Sequence, residues 1–300
     1  DERKFCEEVS KVYNTNHDYV QFNEQITLEM VDSVLETLDE PFADPSYIPT
    51  FLLSNMISKK YKVALSGDGG DELLGGYVRV QRAMKNTNFI SSSFNHLIFN
   101  LYPAQFGTGS TFLSKNTDLN TRYNSFLSDS KLFNMLGINN ENITLNQFSE
   151  NKFKNNYKQL MENEYKFFLS QMMMFKVDRA SMANSLEIRS PFVDNKLIEY
   201  VFSHSNEYFN INKPKLPLKN YLQKEFDPEF LNRKKQGFMF DVESFVYKHE
   251  DEFYENIKYL SKVFDLNIKS IKNLFKFKTR MNANRIWKLK VLSNYFSKNL

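Results

Sequence analysis

Apolar residues recur at helical spacing near both ends of the chain. Phe5, Val9 and Val12 fall on one face between Arg3 and Asn14, and Asn14-Thr15-Asn16 breaks the pattern. Leu28, Val31, Val34, Leu35 and Leu38 make a second stripe from Thr27 to Leu38, with Thr27 in the N-cap region. Three prolines between Glu40 and Pro49 predict a loop, followed by a helix from about Thr50 to Lys60. Lys62–Leu65 reads as a strand, and Asp18–Phe22 as another short one. Helical spacing returns from Glu162 to about Asn184 and closes the chain from Asn282 to Lys298, where Ile286, Leu289, Leu292, Tyr295 and Phe296 share a face. Residues 85–160, rich in Asn, Ser, Lys and Phe, carry only loose helical signals and no chemical motif.

Helix, strand, glycine-rich loop and helix in that order predict an α/β unit with a parallel sheet. Five of the nine glycines fall between Gly67 and Gly76, directly after Val63-Ala64-Leu65. Such a turn can converge its N–H groups on an anion, and a following helix N-terminus adds a favourable dipole. Asp68, Asp71 and Glu72 are interleaved with the glycines and would repel a bare phosphate. They make sense if Mg²⁺ lies between carboxylate and phosphate. The plain alternative is a tight acidic turn. A calcium loop of the EF-hand type is excluded, because the twelfth position counted from Asp68 is Arg79, and no Gly-Lys-Ser/Thr completes a Walker A pattern.

Composition narrows the setting. The formal net charge of +3 implies no acidic or basic partner, such as nucleic acid, by itself. The single cysteine, Cys6, excludes an internal disulfide framework and suits a reducing, cytoplasmic compartment. Its helical spacing to Val9 marks it as buried and inert. No apolar run reaches the ~18 residues of a membrane span. His17, His96, His204 and His249 are scattered and form no legible metal site. Met172 to Met174 and Met182 are expected in the core, as is Trp287.

The run Ser66-Gly67-Asp68-Gly69-Gly70-Asp71-Glu72-Leu73-Leu74-Gly75-Gly76-Tyr77 resembles the SGxGxDExxGGY signature of the glutamine-hydrolysing asparagine synthetases. Four further stretches resemble the same family in its order. They are Asp39-Glu40-Pro41-Phe42-Ala43-Asp44-Pro45-Ser46, Asp178 to Asp194 with Ser185-Leu186-Glu187-Ile188-Arg189-Ser190-Pro191-Phe192, the helix around Lys219, and Arg233-Lys234-Lys235-Gln236-Gly237-Phe238. The resemblance covers nearly the whole chain and is weak only at about 80–160.

The resemblance implies an ATP-pyrophosphatase (PP-loop) synthetase domain over 1–300. Residues 1–80 would form the remainder of a nucleotide-binding α/β part with a partial parallel sheet, and 81–300 a mostly helical part. It implies adenylation of the aspartate side chain by ATP with Mg²⁺, then attack by ammonia to give asparagine, AMP and pyrophosphate. It assigns Ser66, Gly67, Gly69 and Gly70 to ATP, Asp71 to the metal, Asp68 to the acidic position that organises the adenylate, and Lys219 to the transition state. Without it, Lys219 reads as a solvated helix lysine, Arg233 and Lys235 as a basic turn, and Glu187 with Arg189 as a structural ion pair. The family's N-terminal cysteine nucleophile and its first loop, SGGxDS, have no counterpart here. The chain starts at Asp1, so it reads as a piece of a longer polypeptide that joins a glutaminase domain, and a homodimer stays open. The isolated chain is expected to bind ATP weakly and to lack synthetase activity. A paralogue that amidates another carboxylate, such as a sugar acid, and a non-catalytic interaction domain remain as alternatives.

Overall fold

The computed structural model describes residues 3–19, 26–84, 92–103, 106–108, 119–138, 156–204, 208, 210, 212–233 and 237–299. The first apolar stripe forms α1 (Arg3–Tyr13), on which Cys6 is half-buried. Asp18 and Tyr19 lie outside any strand, and Val20 to Phe22 fall outside the described residues. The second stripe forms α2 (Leu28–Leu35), where the Thr27 hydroxyl accepts the Met30 N–H. The next helix, α3 (Tyr47–Ser58), starts earlier than the prolines predict. Pro49 sits in its first turn, where a missing N–H costs no helical hydrogen bond.

The strand β1 (Val63–Leu65) leads through the glycine loop into α4 (Gly70–Leu74) and α5 (Val78–Met84). Within the region of weak pattern lie α6 (Ser92–Leu101), α7 (Leu119–Ser125), α8 (Ser130–Leu136) and α9 (Asn156–Asn163). The helical signal from Glu162 resolves into one continuous rod of three parts: α9, a π-helix (Glu164–Met174) and α10 (Phe175–Met182). After a left-handed turn at Ser185 comes β2 (Glu187–Arg189), which the sequence pattern does not show, because the strand is three residues long and two of them are charged. It pairs parallel with β1, matching Val63 to Glu187, Ala64 to Ile188 and Leu65 to Arg189. Among the described residues this is a mostly helical α/β fold with a small parallel sheet.

The remaining elements are a 3₁₀ turn (Pro191–Val193), α11 (Asn195–Ser203), α12 (Leu216–Leu222), α13 (Pro228–Asn232), α14 (Val242–Lys248), α15 (Glu250–Val263), α16 (Ile268–Lys276) and α17 (Arg280–Asn299). Two apolar cores form among the described residues. The larger joins α2 and α3 to α14–α17, with Val31, Ile48, Phe253, Ile257 and Trp287 removed from solvent. Trp287 is buried, as expected of a packing residue, and its Nε1 donates to Ala43 O at 3.1 Å. Arg285 of α17 grips Asp129, the N-cap of α8, through Nε to Oδ2 at 2.7 Å and Nη2 to Oδ1 at 2.9 Å. The smaller core gathers Leu73, Leu74, Val80, Tyr123, Leu160, Met161 and Val201, and it holds the glycine loop in place from behind. No helix among the described residues is long and apolar enough to cross a membrane.

Candidate active site

The loop leaves the carboxyl end of β1, where the Ser66 N–H donates to Arg189 O at 2.9 Å. Its glycines do different things. Gly69 is left-handed, with φ of 88°, and a Cβ there would lie 3.0 Å from Val193 Cγ1. A Cβ on Gly70 would lie 3.4 Å from the Phe192 ring. These two glycines therefore let the loop close against the Pro191–Val193 turn, and the Ser190 hydroxyl donates to Asp68 O across the same contact. Gly67 faces open space, with nothing within 4 Å of where its Cβ would be. Beside it, the Ser66 hydroxyl oxygen is buried and has no hydrogen-bond partner.

Asp71 lies in α4, a five-residue helix. Its Oδ1 is 2.6 Å from the ammonium of Lys215. Lys215 is itself left-handed, with φ of 58°, and its N–H donates to Leu74 O at 2.9 Å. Gly76 makes this pairing possible: a Cβ there would fall 1.7 Å from Asp71 Oδ1 and 2.6 Å from Lys215 Cε. The structure thus brings Lys215, and not Lys219, to the acidic loop. Lys219 sits one helical turn later, lines an open groove with Gln223 and Phe226, and donates to Asn232 Oδ1 at 3.1 Å. Lys215 and Lys219 are spaced i, i+4 in Lys-Pro-Lys-Leu-Pro-Leu-Lys, so motif spacing alone could not separate them. The structure distinguishes them by the left-handed backbone at Lys215.

A cleft of about 750 Å³ opens beside the loop, lined by Ser66, Ser170, Met174, Asp178, Ser181 and Arg189 among others. Met174 and Met182 line it as well, and Met182 is exposed, so these methionines are wall residues and not the core residues expected. Glu187 and Arg189 form an exposed ion pair at 2.8 Å on the cleft rim, and the Arg189 hydrogen bond holds the Glu187 carboxyl below its ordinary range. The proline-rich segment is stapled to α10: Arg179 Nη2 donates to Asp39 Oδ2 at 2.8 Å, and buried Lys176 donates to Ser46 Oγ at 3.1 Å. Arg233 stacks on Phe230, 4.6 Å from the ring centroid, while Lys235 lies outside the described residues. Among the described residues no three metal-binding side chains converge.

The sequence pattern described as asparagine synthase matches residues 1–262. This chain belongs to that family. It is 28% identical over 236 residues to asparagine synthetase [glutamine-hydrolyzing] 1 of Bacillus subtilis, covering 73% of this chain and 37% of that protein. Asparagine synthetase [glutamine-hydrolyzing] 3 of the same organism is 23% identical over 239 residues, with 79% and 36% covered. A putative asparagine synthetase [glutamine-hydrolyzing] 2 of Methanocaldococcus jannaschii reaches 41% identity over 78 residues, 26% of this chain and 15% of that one. The chain thus spans little more than a third of the length of the Bacillus relatives.

For an asparagine synthase family member the loop's residues fit a nucleotide with its metal. The orphaned Ser66 hydroxyl and the open face of Gly67 leave polar and steric room for a ligand. Asp71 supplies a single carboxylate, the number a Mg²⁺ completed by phosphate and water can use, and the Lys215 ammonium now on its Oδ1 would have to yield that oxygen or leave the metal to the other one. Behind the loop lies a buried polar group, and it takes in Glu72, one of the three acids expected to face metal and phosphate. Glu72, 1% exposed, accepts the Tyr77 hydroxyl at 2.6 Å, and burial raises its carboxyl pKa. Arg79 donates through Nε, at 2.7 Å, and through Nη2 to the carboxylate of Glu164.

Proposed function

We propose that this chain carries the synthetase chemistry of an ATP-dependent amide ligase. The side-chain carboxylate of aspartate attacks the α-phosphorus of ATP, pyrophosphate leaves, and ammonia then displaces AMP to give asparagine. A carboxylate is a poor electrophile, and joining its oxygen to AMP supplies the leaving group. Ser66 and Gly67 would receive the nucleotide, and Asp71 would hold Mg²⁺. The ion, when bound, offsets the charge on the departing phosphates. Lys215 brings an ammonium to the same place, and Asp68 supplies the acidic group on the loop that faces the ammonia step. Ammonia would come from glutamine, through a glutaminase domain of the longer polypeptide.

The observation that carries this reading is the pairing of a buried, unpartnered Ser66 hydroxyl with an unobstructed Gly67, on the loop that also bears Asp71 against Lys215. The test is AMP and pyrophosphate formation by the full-length polypeptide from ATP, ammonia and a panel of carboxylates. Turnover with aspartate supports the reading. Turnover only with another carboxylate moves the protein to a paralogous amidotransferase, and no AMP with any of them leaves a binding role.

A further inference from the structure

α4 is too short to hold Asp71 by its own hydrogen bonds. Beside it runs a chain of buried and half-buried contacts. Glu72, the next residue, accepts the Tyr77 hydroxyl at 2.6 Å. The Tyr77 and Phe168 rings both lie against the Arg79 guanidinium, each 3.8 Å away, and they meet each other edge to face with centroids 5.4 Å apart. Arg79 then binds both oxygens of Glu164, whose side chain is fully buried. Glu164 opens the π-helix, and that same helix supplies Ser170 and Met174 to the cleft wall. A π-helix of eleven residues is rare, and such segments cluster at functional sites.

A buried ion pair is a weak source of stability, because desolvation offsets the attraction. A guanidinium forked onto a carboxylate and seated in the corner between two rings does something a hydrophobic contact cannot: it fixes angle as well as distance. We propose that Arg79 is a positioning residue. Its clamp on Glu164 locks the π-helix wall of the cleft in register with α4, and so sets where Asp71 and Lys215 stand relative to a ligand in the cleft. The inference rests on the functional reading above for its purpose, while its geometry is testable without turnover.

The experiment uses the full-length protein, wild type and Arg79→Lys, which keeps the charge and removes the fork. Amide hydrogen exchange is followed segment by segment. Exchange should rise at least tenfold at residues 70–76 and at the Lys215 N–H, which is bonded to Leu74 O, while α15 and α17 keep their protection. In parallel, the Mg²⁺ concentration for half-maximal pyrophosphate release should rise at least fivefold. Ile257→Val, a small cut in the distant core, serves as a control that lowers melting temperature without shifting the Mg²⁺ requirement. Unchanged protection at Lys215, or protection lost evenly across the chain, overturns the proposal. If the wild type releases no pyrophosphate, the functional reading fails and the exchange measurement alone decides the positioning role.

Discussion

The Lys215 ammonium stands 2.6 Å from Asp71 Oδ1, on a backbone held in the left-handed region and tied to Leu74 O. An L-residue pays conformational energy to sit there, and such strain concentrates at functional positions. Lys215→Met should lower pyrophosphate release by about 10²–10³, the scale of losing one charge-stabilising group. Lys219→Met should change it by less than about threefold, as a surface substitution does. Steady-state kinetics of the two variants in the full-length protein decide between the two lysines, and the opposite ranking would favour Lys219.

Gly67 and Gly76 should respond oppositely to alanine. Nothing lies within 4 Å of a Cβ on Gly67, so Gly67→Ala should keep stability within about 0.5 kcal/mol while raising the KM for ATP. A Cβ on Gly76 would sit 1.7 Å from Asp71 Oδ1. Gly76→Ala should therefore cost about 1–3 kcal/mol by overpacking and should lower kcat by separating Asp71 from Lys215. Urea denaturation and ATP titration measure both effects.

Arg285 and Asp129 are buried and joined by two hydrogen bonds. Arg285→Met leaves the carboxylate stranded and should destabilise by about 3–5 kcal/mol. Adding Asp129→Asn removes the stranded charge and keeps an acceptor for the Leu132 N–H, so the double variant should regain more than half of that loss. Additive losses in a double-mutant cycle would contradict this.

Burial raises the Glu72 carboxyl above its ordinary value of 4.5, against the opposing hydrogen bond from Tyr77. A carboxyl with a raised folded pKa holds its proton more tightly in the folded state. Its contribution is complete below the unfolded pKa, about 4.3, and fades as pH climbs through the folded value. Glu72→Gln, which keeps the acceptor for Tyr77, should therefore gain on the wild type in melting temperature as pH rises from about 4 to 7. A gap that narrows over this range would mean that Glu72 is stabilised as the anion.

The helices with a clear apolar stripe were legible because packing follows the period: Val31 and Val34 of α2 and Ile286 and Leu289 of α17 all point inward. The acidic glycine loop was legible from its composition. β2 was hidden because Glu187 and Arg189 answer to an ion pair and a backbone ladder, not to an apolar face. The π-helix was hidden because its backbone leaves the 3.6-residue period on which the reading depends. The contact of Lys215 with Asp71 was hidden because nothing in the sequence joins residues so far apart. Arg79 figured only as the residue that spoiled a calcium loop, since its partner Glu164 lies 85 residues further along the chain.

The rod from Asn156 to Met182 constrains which length changes the chain can survive. Deleting one residue inside the π-helix would invite it to rewind as an α-helix, turning everything beyond the cut by about 100°. Either Glu164 would leave Arg79, or Ser170 and Asp178 would rotate out of the cleft. Loops in this protein can drift in length, but between Glu164 and Asp178 the residue count acts as an angular gauge, and descendants that change it by one must rebuild the wall of the cleft.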